Sequence, residues 1–293
     1  MNLKSNQSFL ERTAKIGRFA LVGLLVFIVG LPFLFSQLFS CEIIRFSEFG
    51  EAYRNVFISP EIHKSDFGKI IDVIRKAEVR IDSFYTSRSS KPIIIICSNP
   101  QQYQKYCSST EGAGCSLGTP WGSTFIVLNS EGINIDVVSH EMSHIELFTR
   151  IGWWKITTQV PQWFNEGVAL MVDKRFVNNP DRIGRYLDYM DEWQYYTRGG
   201  QEILELNDIE SMKEFFSGNQ QSVTLSYMTA ALEVSYWSIF VGNDGLLKLI
   251  SLMKKGNSFA VSYKKTELLS AVKKPKQLPR NPLRLPDSPQ INK

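Results

Sequence analysis

The chain has 293 residues, enough for one large domain or two small ones, and its 43% hydrophobic and 12% aromatic content suits a packed core rather than a disordered polymer. Its net charge of +4 is mild, and no basic stripe with interleaved aromatics occurs, so nucleic acid is not an expected partner.

Residues 1–18 read as a short cytoplasmic N-terminus. From Phe19 to Phe39 the chain runs "FALVGLLVFIVGLPFLFSQLF" without a charge. About 20 apolar residues suffice for a spanning helix, so residues 19–40 are expected to be a single transmembrane anchor. Lys4, Arg12, Lys15 and Arg18 precede it against Glu11 alone, which leaves the N-terminus inside and exports the rest to the periplasm or the exterior. A cleaved signal is an alternative, and so is a lipoprotein, since "LFSC" ends on Cys41, although Phe39 is bulky for that motif. All three readings export the domain. In an oxidising compartment Cys107 and Cys115 could close a short disulfide loop, Cys97–Cys107 is the competing pair, and free buried thiols are the third option, so the sequence leaves the pairing open.

A domain over residues 41–272 follows. Ile70, Ile74, Ala77 and Ile81 repeat at helical spacing, predicting a helix over 66–84 with Asp66 as its N-cap. "KPIIIICS" (91–98) predicts a buried strand, 108–123 a loop, and "TFIVLN" (124–129) a second strand. Helices are predicted over about 134–148 and over 160–176, 181–196, 208–216, 225–241, 244–255 and 258–271. Residues 273–293 carry five of the twelve prolines, and read as a flexible or surface-hugging basic tail. The fold class is therefore α+β: a small N-terminal sheet with helices, then a mainly helical C-terminal half.

The join carries the chemistry. "VVSHEMSHIEL" (137–147) places His140 and His144 four residues apart, on one side of a helix, where both can bind one metal ion. Glu141 lies about 100° round the helix, beside such an ion rather than on it, where a carboxylate can take a proton from a bound water. Polar Asn134, Asp136 and Ser139 mark a soluble helix, not a span. Catalytic zinc needs a third protein ligand. Residue 150, where a metzincin would supply it, is Arg150; His63 sits in a polar stretch; and Glu146 faces away on the same helix. Glu166, interrupting the apolar "WFNEGVALMV" beside Gly167, is the candidate, because a buried glutamate is costly unless paired or metal-bound.

"SHEMSHIEL" followed by "VPQWFNEGVALMV" resembles the gluzincin metallopeptidases, in particular the peptidase MA-like family of bacterial exported proteins. The similarity runs over about residues 66–271 and includes "LSYMTAALEVSYW". It implies a zincin-like fold, one zinc ion on His140, His144 and Glu166, and Glu141 as the general base. It also implies that the "TFIVLN" strand is the edge on which an extended peptide pairs. Tyr227 matches the position of a transition-state hydrogen-bond donor, with Tyr186, Tyr189 and Tyr236 as rivals. One departure stands out: an aspartate supporting a histidine is expected four residues after the glutamate ligand, where this chain has Leu170, and Asp173 is the nearest substitute.

These readings converge on a membrane-anchored, extracytoplasmic zinc peptidase acting on peptide or protein substrates. The competing expectation is a non-catalytic exported binding or envelope-assembly module that keeps the same fold.

Overall fold

The computed structural model describes residue 30, residues 35–270 except Glu111, and residues 278–284. The predicted span at 19–40 therefore lies mostly outside the described residues, among which no helix is long and apolar enough to cross a membrane. The architecture is α+β, with one five-stranded sheet and a helical C-terminal half.

The sheet comprises β1 (Gly50–Tyr53), β2 (Val56–Ile58), β3 (Ile93–Ile96), β4 (Gly114–Gly118) and β5 (Thr124–Leu128), in the order β1-β2-β3-β5-β4. β2, β3 and β5 run parallel, while β1 and β4 are antiparallel edges. Both faces of the central strands are covered. Ile94, Ile96, Ile126 and Leu128 point into the main core under α2 (Phe67–Phe84) and α4 (Ile135–Ile151). Their neighbours Ile95, Cys97, Phe125 and Val127 point the other way, onto α1 (Ser36–Glu42) and α3 (Pro100–Cys107). Period-2 side-chain alternation with apolar residues at every step produces this doubly covered sheet.

Three sequence expectations change here. The stretch 108–123 is not all loop, because it contains β4. "TFIVLN" is not the edge strand: β5 is paired on both sides, and β4 is the edge. The turn-like Gly and Ser content of residues 112–123 concealed a strand that only pairing reveals. The Cys107–Cys115 disulfide ties α3 to β4, while Cys41 and Cys97 are buried free thiols. Asp66 makes no side-chain cap for α2, being the last residue of a short 3-10 turn that His63 caps instead.

Beyond α4 the chain forms α5 (Trp153–Thr158), α6 (Gln162–Leu170), α7 (Arg182–Tyr196), α8 (Met212–Phe215), α9 (Gln220–Lys254) and α10 (Phe259–Leu269). α6 stops six residues short of the expected 176. Its last carbonyls and those just beyond are captured by side chains: Leu170 O by the Tyr189 hydroxyl, Met171 O by Arg185, and Val172 O by Arg80. Captured ends of this kind satisfy the acceptors a helix leaves open and release the chain to turn. The two helices expected over 225–241 and 244–255 are both present, as the two arms of α9 on either side of Gly242, where a positive φ of 64° breaks the helix.

Part of the tail is seated rather than loose. Buried Glu233 of α9 accepts hydrogen bonds from the Tyr263 hydroxyl at 2.6 Å, Asn281 Nδ2 at 2.7 Å and Arg284 Nη2 at 2.5 Å. Residues 278–284 are thus pinned by a buried carboxylate, and a composition-based reading has no access to that long-range partner.

Candidate metal centre

α4 begins cleanly because the Asn134 side chain accepts from the amides of Asp136 and Val137. It ends at Gly152, whose φ is 93°. Across that span His140 and His144 fall on the side facing α6, while Glu141 turns toward β4. Glu146 faces away, as expected. It is fully buried, accepting from the amides of Ser89 and Ser90 and from Arg150 Nε, which hold its pKa down against the upward push of burial.

α6 is pressed against α9. A Cβ on Gly167 would lie 2.7 Å from the Ala230 carbonyl oxygen and 2.5 Å from Val234 Cγ2, so only glycine permits this crossing. The close approach at Gly167 is therefore to a helix backbone. Trp163 and Phe164 lock the same helix in place through edge contacts with Phe259 and Tyr263. This packing fixes Glu166 opposite α4.

Glu166 Oε2 lies 3.2 Å from His140 Nε2 and 3.5 Å from His144 Nε2. The three ligand atoms all fall within 4.8 Å of one another. Two bonds of about 2.05 Å at a tetrahedral angle separate ligand atoms by about 3.3 Å, close to the two distances from Glu166 to the histidines. The donor set of two imidazoles and one carboxylate suits zinc and leaves a fourth position open.

Each ligand is oriented from behind. Asp173 Oδ2 sits 3.2 Å from His140 Nδ1, and Asn165 Oδ1 sits 3.1 Å from His144 Nδ1. An acceptor on Nδ1 keeps the proton there and turns Nε2 toward the centre of the three. Gln162 Nε2 donates to Glu166 Oε1 at 2.7 Å, leaving Oε2 for the histidines. Arg175 in turn clamps Asp173, with Nη2 to Oδ2 at 2.5 Å. Asn165, Gln162 and Arg175 escaped the sequence reading. The only local signals were an Asn adjoining the candidate ligand and a Gln one helical turn before it.

The electrostatics follow from these contacts. Burial disfavours the His140 cation, yet the hydrogen bonds to Asp173 and Glu166 outweigh it and raise its pKa to about 10. His144 is likewise raised, burial being outweighed by the Glu166 charge. Burial would raise the carboxyl of Glu166, but the two histidines hold it well below the usual range; Asp173 is held down by His140 and Arg175. A strongly negative pocket is thus balanced by shared protons.

Glu141 is buried beneath β4. A Cβ on Gly114 would come within 3.0 Å of Glu141 Cγ and 3.2 Å of its Oε1, so glycine there lets the edge strand pass directly over the carboxylate. Tyr227, on α9, has its ring 6.4 Å from that of His140 and packs with Phe176, Phe215 and Phe216. Its rivals are engaged elsewhere: the Tyr186 hydroxyl donates to Pro279 O, Tyr189 to Leu170 O, and the Tyr236 ring packs on Tyr186 and Phe240. His63 is exposed and pairs with Ser65, away from the cluster. No family model and no curated protein matches the chain.

Proposed function

We propose that this chain is a zinc-dependent peptidase of gluzincin type, with a zincin-like domain anchored in the membrane by residues 19–40 and facing the periplasm or the exterior. The observation that carries the reading is the convergence of His140, His144 and Glu166 with Glu141 lying beside them under an edge strand. The Cys107–Cys115 bridge supports an oxidising compartment. Cys41 is enclosed, its thiol directed at the Tyr106 carbonyl, which favours the anchor over a lipid on that sulfur.

His140, His144 and Glu166 would hold the ion. A zinc ion held there would lower the pKa of a water to about 7 and polarise a carbonyl. The substrate is an extended peptide, because β4 is a sheet edge and an added strand can pair with it. Pairing there carries the peptide backbone past Gly114 and over Glu141. The Glu141 carboxylate accepts the proton of the attacking water and returns it to the leaving amine nitrogen. Burial raises the Tyr227 phenol well above its ordinary pKa, so its hydroxyl stays protonated and serves as a hydrogen-bond donor to a developing oxyanion.

The test is Glu141→Gln in the full chain. It is expected to keep one zinc per chain while losing hydrolysis of a mixed peptide library. Wild-type protein that binds zinc fully yet cleaves nothing in that library would favour the non-catalytic module instead.

A further inference from the structure

Beyond the metal centre, one group of exposed apolar side chains lies where the uncharged N-terminal run meets the domain. The outer face of α1 and the turn after it expose Phe39 at 45%, Ile43 at 41% and Phe46 at 89%. α1 cannot roll to hide them, because its opposite face is committed: Cys41 and the following Ile44 are fully buried against Tyr106 and the sheet. The Trp121 indole, 65% exposed, donates to Glu42 Oε1 at 2.6 Å and so extends this face onto the loop after β4. Pro120 in that loop lines an open hollow with Gly152, Trp153 and Trp154, and Trp154 is 67% exposed. Exposed aromatic and apolar side chains from three separate parts of the chain are thus linked, through the Glu42–Trp121 hydrogen bond and the hollow shared by Pro120 and Trp154.

Its position identifies the occupant. The uncharged run Phe19–Phe39 ends inside α1, on this same face. Tryptophans with an apolar body and a bonded indole N–H are the residues that settle at the headgroup level of a bilayer. We propose that this face docks on the lipid interface, with Trp121 and Trp154 in the headgroup layer. The domain then lies against the membrane instead of hanging from it on a linker.

The docking has a geometric consequence for β4. That strand runs from Gly114, over Glu141, to Gly118, against the Phe148 ring, and on into the Trp121 loop. Four residues of extended chain span about 14 Å, so the site stands a short, fixed distance from the lipid, at the far end of β4. The inference rests on the proposed membrane anchor but not on the peptidase reading, and its test reads lipid contact rather than turnover.

The full chain is reconstituted into phosphatidylcholine vesicles with or without bromine near the glycerol end of the acyl chains, and tryptophan emission is compared. Trp163, Trp193 and Trp237 are buried and should be spared, and half-buried Trp153 contributes equally to wild type and variant. Bromolipid is expected to quench the wild type, and Trp121→Phe with Trp154→Phe should remove more than half of the quenched signal while leaving metal binding unchanged. Iodide should reach the same two indoles in detergent but not in vesicles. Protein that floats with the vesicles yet shows equal quenching in wild type and double variant overturns the docking and leaves the anchor standing. Protein that does not float overturns both.

Discussion

One imidazole joins two buried carboxylates: His140 meets Asp173 Oδ2 at 3.2 Å through Nδ1 and Glu166 Oε2 at 3.2 Å through Nε2. Only Glu166 lies on the side shared with His144. Glu166→Ala should therefore abolish tight zinc binding and the thermal stabilisation that zinc confers. Asp173→Ala removes an orienting partner and should weaken zinc by roughly 10–100-fold. Competition against a chromophoric chelator measures both. Wild-type affinity in the Glu166 variant, with metal lost in the Asp173 variant, would exchange their roles.

Tyr227 is the phenol packed beside His140, whereas Tyr186 and Tyr189 spend their hydroxyls on backbone carbonyls. Tyr227→Phe keeps the ring that packs on Phe215 and removes only the donor. Turnover is expected to fall by about 10²–10³-fold with zinc content intact. Tyr186→Phe should leave turnover near wild type. Equal rates in the Tyr227 variant and the wild type would remove this residue from the mechanism.

The pH response of the metal-free site follows from its pKa directions. The folded His140 pKa, about 10, exceeds the unfolded value of about 6.5. Its stabilisation is thus complete below about pH 6.5 and is lost as pH rises toward 10. Glu166 and Asp173 are shifted down, so their contribution is present above about pH 4.5 and lost as pH falls further. Metal must displace the imidazole protons, so its affinity should rise with pH. Melting temperatures of metal-free protein should decline from pH 6.5 to 9 while the increment on adding zinc grows. His140→Gln should flatten the first slope; an unchanged slope would show that other groups set it.

Away from the candidate metal centre, Glu233 is buried and ion-paired with Arg284. Arg284→Ala leaves that carboxylate without its cation, and breaking a buried pair costs about 3–5 kcal/mol. The lower end is expected, since Tyr263 and Asn281 still donate to it. Urea unfolding should register the loss with zinc affinity unchanged. A stability equal to wild type would mean that residues 278–284 contribute nothing to the fold.

The sequence by itself determined what depends on local geometry. The i, i+4 spacing of His140 and His144 follows from the helical repeat, and a glutamate in the apolar "WFNEGVALMV" stands out because burying a lone charge is costly. Helical and strand periodicity likewise located α2, β3, β5 and most of the later helices. Tertiary structure decided what depends on partners distant in the chain. Asp173 reaches His140 only because Tyr189, Arg185 and Arg80 take the carbonyls at and beyond the end of α6 and let the chain turn. Residues 114–118 become the edge strand only through pairing with β5, and Cys107 takes Cys115 rather than Cys97 because the sheet turns Cys97 inward. The exposed aromatic face joins residues from α1, the loop after β4 and α5, a juxtaposition no stretch of sequence contains. Hydrogen-bonding and packing partners of this kind are chosen by the folded chain as a whole, since each is set by where other elements come to rest.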